Sequence, residues 1–226
     1  MARSCLLYYI TDRTAFAPDE TTRRCRLLDK VAEAVRAGVD FIQLREKDLP
    51  AKDLECLASE AMRIVSQLRT ENRKLRTALL VNSRSDIALA VGADGVHLRS
   101  DDISPQDISA IWQKYGAEPS LPQLSPRSPV IAVSCHSRED VMKAAAEGAN
   151  FAVLAPVFEK KGGAGAQPKG ASIFKDLPRT GIPVLALGGI TLSNAHRCLE
   201  SGADGIAAIR LFQENPVAEV AERLRS

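Results

Sequence analysis

One phrase, Gly-x-Asp or Gly-x-Asn leading into an apolar run, occurs four times in this chain. The copies are Gly38-Val39-Asp40-Phe41-Ile42, Gly92-Ala93-Asp94-Gly95-Val96, Gly148-Ala149-Asn150-Phe151-Ala152 and Gly202-Ala203-Asp204-Gly205-Ile206. Successive copies are 54, 56 and 54 residues apart. Each copy falls where a helical pattern stops and an apolar run begins. Gly takes the left-handed conformation that ends a helix, and Asp or Asn tolerates the turn that follows. A period of about 54 residues accommodates two strand–helix units, so four copies make eight. In a chain of 226 residues that predicts an α/β fold, a single-domain (βα)8 TIM barrel over residues 1–226.

Eight short runs supply the strands: Leu6–Thr11, Phe41–Arg45, Ala78–Asn82, Gly95–Leu98, Val130–Ser134, Phe151–Ala155, Val184–Leu187 and Gly205–Ile209. Most lack strict alternation, as parallel strands buried on both faces do. Helical patterns lie between them. Residues Thr21–Ala37 place Leu27, Leu28, Val31, Ala34 and Val35 on one face, and Lys52–Leu68 do the same with Leu54, Leu57, Ala61 and Ile64. Ser104-Pro105 and Ser137 read as helix starts. The one compositional break, Glu118–Pro129 with four prolines, falls after a helix and before a strand. That is the stability face of a barrel, so it reads as a surface loop.

Bulk properties exclude several classes. The formal net charge of +2 gives no broad attraction to nucleic acid or membrane. No apolar stretch approaches the ~18 residues of a membrane span, and the start of the chain lacks a signal-peptide core. Five scattered cysteines with no metal-type spacing read as free thiols in a reducing compartment, and the chain reads as cytoplasmic.

Barrel chemistry is built where strands end, and here nearly every strand ends in polar residues. Gln43 and Arg45 alternate on strand two, so both point inward, with Lys47 at the rim. Burying that pair is costly unless something anionic meets it, and a guanidinium beside an ammonium suits a pyrophosphate. The alternative is a structural Arg45 paired with Glu46. Gly188-Gly189-Ile190 and Ile209-Arg210 follow strands seven and eight, where barrels commonly bind phosphate; a simple turn is the alternative. Asp101-Asp102 suit Mg²⁺, or else cap the helix near Pro105. His136 lies just past strand five, and a lone His is more often structural than catalytic. Lys160, Lys161 and the glycine-rich run to Gly170 read as a charged lid or an ordinary solvated loop.

Together these strings resemble the thiamine phosphate synthase and thiazole tautomerase barrels over nearly the whole chain. The resemblance rests on Tyr9-Ile10-Thr11-Asp12, Gln43-Leu44-Arg45-Glu46-Lys47, Gly92 to Leu98, Val133-Ser134-Cys135-His136-Ser137, Pro156-Val157-Phe158, Gly188-Gly189-Ile190 and Gly202 to Ile206. It implies a transferase of thiamine biosynthesis that joins 4-amino-2-methyl-5-(diphosphomethyl)pyrimidine to a thiazole phosphate. Gln43, Arg45 and Lys47 would then hold the pyrophosphate, with Asn82 beside it and Asp102 on Mg²⁺. Ser134 would meet the departing group, Lys161 would reach in from the lid, and Gly189, Ile209 and Arg210 would line the thiazole phosphate site. Arg45, Lys47, Ser134 and His136 are the residues expected to act in catalysis. The partners implied are two small molecules, and barrels of this family often pair as homodimers. Three departures stand out: Ser83 where the synthases carry a second Asp, Glu159-Lys160-Lys161-Gly162-Gly163 in place of a Thr-x-Thr-Lys loop, and Arg210 in place of Ser. The tautomerases use a His matching His136 and need no Mg²⁺, but Gln43, Arg45, Lys47 and Asp102 together favour the synthase. A barrel that binds a thiamine precursor without catalysis is the third reading, should Ser83 abolish metal binding.

Overall fold

Eight parallel strands close into one barrel in sequence order in the computed structural model, which describes residues 5–116, 128–159 and 167–226. The strands are β1 (Leu6–Ile10), β2 (Phe41–Leu44), β3 (Ala78–Asn82), β4 (Gly95–Leu98), β5 (Val130–Cys135), β6 (Phe151–Leu154), β7 (Val184–Ala186) and β8 (Gly205–Ala208). Each pairs with the next, and β1 closes on β8 through Leu6↔Gly205 and Leu7↔Ile206. The expected strands agree with these to within one residue at either end.

The outer layer comprises α1 (Glu20–Arg36), α2 (Ala51–Glu71), α3 (Ser85–Ala90), α4 (Pro105–Tyr115), α5 (Arg138–Ala146), α6 (Ala195–Glu200), α7 (Arg210–Gln213) and α8 (Val217–Arg225). The starts of α1, α4 and α5 follow ordinary capping chemistry. Asp19 accepts from the Thr22 amide, Ser104 from Asp107 and Ser137 from Asp140. The α4 cap is therefore Ser104, and neither Asp101 nor Asp102 is needed for it. One unit departs from the expected strand–helix rhythm: after β6 the described residues form only a 3-10 turn, Ala171–Phe174. Most of the proline-rich stretch, 117–127, lies outside the described residues.

Alternation along the strands splits the apolar interior in two. Leu7, Tyr9, Ile42, Leu44, Leu79 and Val81 pack outward against the helices. Tyr8, Ile10, Leu80, Ala132, Phe151, Val153, Leu185 and Ala207 fill the barrel itself, with Phe41 and Phe151 stacked at 4.4 Å between ring centroids. All five cysteines are unpaired.

The repeated phrase has a structural job beyond ending helices. Its glycines have positive φ: 73° at Gly38, 64° at Gly92, 86° at Gly148 and 105° at Gly202. The residue two further on then turns its side chain back onto the amide of the preceding strand. Asp40 accepts from Leu7 at 2.8 Å, Asp94 from Leu79 at 2.8 Å, Asn150 from Ile131 at 2.7 Å and Asp204 from Val184 at 2.9 Å. Four equivalent clamps, three of Asp and one of Asn, thus tie β1 to β2, β3 to β4, β5 to β6 and β7 to β8 at the face where strands begin.

Candidate active site

The opposite face, where strands end, opens into a cavity of about 560 Å³, within the range of small-ligand sites. Of the residues named from the sequence, Gln43, Arg45, Lys47, Asn82, Ser134, His136, Gly189, Ile209 and Arg210 all line it. Lys161 lies outside the described residues.

Strand phase explains how Arg45 comes to face the cavity while Glu46 does not. Glu46 is buried and turns to the other side, accepting from the Thr11 hydroxyl, the Arg13 amide and the Arg13 guanidinium. Burial pushes the Glu46 carboxyl up, and those donors partly offset the push. Arg13 also forks onto Asp48 at 2.7 and 3.0 Å and reaches Glu20 at 2.7 Å. Arg13 is thus a tie beneath the rim and not a mouth residue. Glu46 being satisfied this way, the alternative of an Arg45–Glu46 pair is ruled out. Among the described residues no carboxylate pairs with the half-buried Arg45 guanidinium.

A directional chain of hydrogen bonds runs along the ends of β2, β3 and β4. Gln43 Nε2 donates to Asn82 Oδ1 at 3.2 Å, Asn82 Nδ2 to Ser83 Oγ at 3.3 Å and Ser83 Oγ to Asp102 Oδ2 at 2.7 Å. Ser83 holds a left-handed φ of 58°, a conformation costing a non-glycine residue on the order of 1 kcal/mol. Its bond to Asp102 helps fix it there.

Asp102 stands apart from the other residues named from the sequence. Its carboxylate does not line the main cavity. Besides Ser83 it accepts from the Arg99 amide at 2.8 Å and from Arg99 Nε at 3.4 Å, while Arg99 Nη2 reaches Asp101 at 3.2 Å. Arg99 thus occupies the place between the two carboxylates that a cation would take. Among the described residues no three His, Cys, Asp or Glu side chains converge to hold a metal ion. A cation recruited to Asp102 would have to displace the half-exposed Arg99, an ion pair worth at most about 1 kcal/mol.

His97 is the residue that sequence reasoning passed over. It is buried inside β4, with Nδ1 2.9 Å from the Tyr8 hydroxyl and Nε2 2.7 Å from Ser134 Oγ. Burial, and then the Arg45 charge, hold its pKa at about 3, with Asp102 pulling the other way. His97 lies between Val96 and Leu98, which pack outward against the helices, so alternation turns it inward. His136, by contrast, is exposed. Its Nδ1 lies 3.0 Å from the Ala155 carbonyl, to which it donates, and its amide donates to Asp140.

At the far side, Gly188 and Gly189 have φ of 106° and 62°. A Cβ on Gly189 would sit 2.4 Å from the Glu159 carbonyl oxygen, so Gly189 is required for the loop after β6 to pack here. Arg210 is exposed beside it, immediately after β8.

A (βα)8 barrel with an anion-ready mouth defines the class, and comparison with known proteins specifies it. The family model described as thiamine monophosphate synthase matches residues 7–212, and the chain belongs to that family. It is 35% identical to a putative thiamine-phosphate synthase 2 of Aquifex aeolicus, over 92% of this chain and 97% of that one. It is 34% identical to a thiamine-phosphate synthase of Syntrophomonas wolfei, over 97% and 94%. Among solved structures, thiamine phosphate pyrophosphorylase from Pyrococcus furiosus superposes with a TM-score of 0.72 at 27% identity, covering 99% of this chain and 95% of that one.

Proposed function

We propose that this barrel couples 4-amino-2-methyl-5-(diphosphomethyl)pyrimidine to a thiazole phosphate, giving thiamine phosphate and pyrophosphate. The observation that carries the reading is the half-buried Arg45 guanidinium, which faces the cavity with no carboxylate partner among the described residues. A partly buried cation of that kind is matched by an anionic substrate.

The chemistry divides among the residues as follows. Gln43, Arg45 and Lys47 hold the pyrophosphate, and Asn82, anchored by Gln43, orients it. The bond between the pyrimidine methylene carbon and the pyrophosphate oxygen breaks heterolytically, leaving a pyrimidine carbocation. Arg45 and Lys47 stabilise the charge growing on the leaving group. The thiazole nitrogen then donates its lone pair to the methylene carbon and becomes the thiazolium of thiamine phosphate. Gly189, Ile209 and Arg210 hold the thiazole phosphate opposite. The apolar floor of Ile10, Leu187 and Ala207 keeps water from capturing the cation. Mg²⁺ would be held by Asp102, once Arg99 is displaced, together with the pyrophosphate, and would neutralise further charge on the leaving group. The two substrates are small molecules, and among the described residues no helix is long and apolar enough to cross a membrane.

One observation favours a second reading, isomerisation of a thiazole carboxylate phosphate. His136 lines the cavity and donates from Nδ1 to Ala155, so in the neutral ring Nε2 carries the lone pair a general base requires. The His136→Asn protein separates the two. Coupling requires that it still make thiamine phosphate at a substantial rate. An enzyme that isomerises the thiazole, ignores the pyrimidine diphosphate and dies with His136 would reverse the ranking.

A further inference from the structure

The cavity floor holds a second histidine that the coupling reaction, as derived above, does not use. His97 bridges two strands of the barrel interior, touching Tyr8 of β1 through one ring nitrogen and Ser134 of β5 through the other. We propose that Tyr8 and His97 are positioning residues that fix the polarity of the Ser134 hydroxyl, so that its proton faces the departing pyrophosphate. The inference rests on the reading of this cavity as the pyrophosphate site.

The polarity follows from satisfying one buried phenol. Tyr8 is fully buried, with its ring edge-on to Phe41 and Phe151 at 5.9 and 5.3 Å between centroids. Its hydroxyl has one polar neighbour among the described residues, His97 Nδ1 at 2.9 Å. A buried O–H with no acceptor is costly, whereas an unfilled acceptor lone pair on a phenol is tolerated far better. Tyr8 therefore donates and Nδ1 accepts. The imidazole is buried and neutral, so it carries a single N–H, which must then be on Nε2. That N–H donates to Ser134 Oγ at 2.7 Å. Ser134 receives this bond on a lone pair, and its own proton stays free for the cavity that Ser134 and His97 both line. In the opposite tautomer Ser134 would donate into the ring, present only lone pairs to an anion and leave the phenol proton orphaned.

The charges around His97 keep this polarity stable. Burial and Arg45 both disfavour the imidazolium, and Asp102 alone favours it. With both nitrogens committed, His97 takes no proton during turnover. It acts through Ser134, in contrast to His136, which is exposed where it lines the cavity.

Two measurements test the proposal on the full-length protein. The first is nitrogen-15 NMR of the histidine rings without substrate, with His136→Asn and His196→Asn used to assign His97 by elimination. His97 is expected as the neutral Nε2–H tautomer, unchanged between pH 8 and pH 5; an Nδ1–H tautomer, or titration in that interval, overturns the proposal. The second is a double-mutant cycle between Tyr8→Phe and Ser134→Ala in the coupling reaction. Tyr8→Phe is expected to lower kcat about tenfold, the size of one misdirected hydrogen bond, with KM for the pyrimidine diphosphate little changed. Added to Ser134→Ala it should cost nothing further. Wild-type kcat in Tyr8→Phe, or losses that multiply, would refute the relay. The ring spectrum needs no activity, so absence of thiamine phosphate synthesis would count against the coupling reading and not against the tautomer.

Discussion

The two ends of this barrel are built on opposite plans. Where strands begin, one device is written four times: a positive-φ glycine, then an Asp or Asn whose side chain grips the neighbouring strand. Where strands end, nothing repeats. Gln43, Asn82, His97, Ser134, Gly189 and Arg210 come from six different strand ends, and apart from the two carboxamides no two have the same chemistry. Acids at the first end are satisfied within the fold, as Asp94 is by Arg69 and Asp40 by Arg225. At the second, Arg45 is left for a ligand. Repetition marks the end that holds the barrel shut, and its absence marks the end that recognises two unlike substrates.

The largest expected effect lies at the mouth. Arg45→Ala should lower turnover by a factor of hundreds, about 3 kcal/mol or more of lost transition-state stabilisation, while the melting temperature stays within a few degrees of wild type. Near-normal turnover in a folded Arg45→Ala protein would remove the distinction between the ends.

Next comes the clamped face, where the signs reverse. Asp94→Ala removes a bidentate partner from Arg69 and the acceptor of the Leu79 amide. A loss of about 2–3 kcal/mol is expected, lowering the melting point by roughly 5–10 °C with kcat unchanged. Asn150→Ala gives up one uncharged hydrogen bond and should cost about 1 kcal/mol. Equal losses at the two positions would mean the charge of Asp94 contributes nothing.

A third test uses acid. His97 has a pKa near 3 in the fold against about 6.5 unfolded. Between those values the unfolded chain binds the extra proton, so stability falls as pH falls, by about 1.4 kcal/mol per pH unit. Glu46, whose pKa is raised, acts oppositely just above its ordinary value, losing its contribution as pH rises. Urea unfolding from pH 7 to pH 4 should therefore be steeper in pH for wild type than for His97→Gln. Parallel curves would place His97 in contact with water.

The smallest effect concerns Arg99. Releasing Asp101 and Asp102 by Arg99→Ala should lower the Mg²⁺ needed for half-maximal activity several-fold, about 1 kcal/mol. The empty wild-type protein should bind Mg²⁺ weakly by calorimetry; tight binding would contradict the assignment of Asp102 to Arg99.

The sequence made the barrel legible because its period and apolar runs are local properties, and strand ends follow from the fold. Arg45 was legible for the same reason, since alternation with Gln43 fixes its side. The contact of Asp102 with an arginine three residues earlier was not legible, because no spacing rule announces it. His97 escaped because its role depends on Tyr8, 89 residues away on a strand across the barrel. The 3-10 turn that stands after β6 among the described residues is a local deviation that the four-fold rhythm concealed.

The most direct measurement is product analysis after incubating the pure protein with the pyrimidine diphosphate and the thiazole phosphate, with Mg²⁺ present and absent. The account expects thiamine phosphate and pyrophosphate in equal amounts from wild type, and next to none from Arg45→Ala. Unchanged substrates with wild type, or equal product from both proteins, would contradict it.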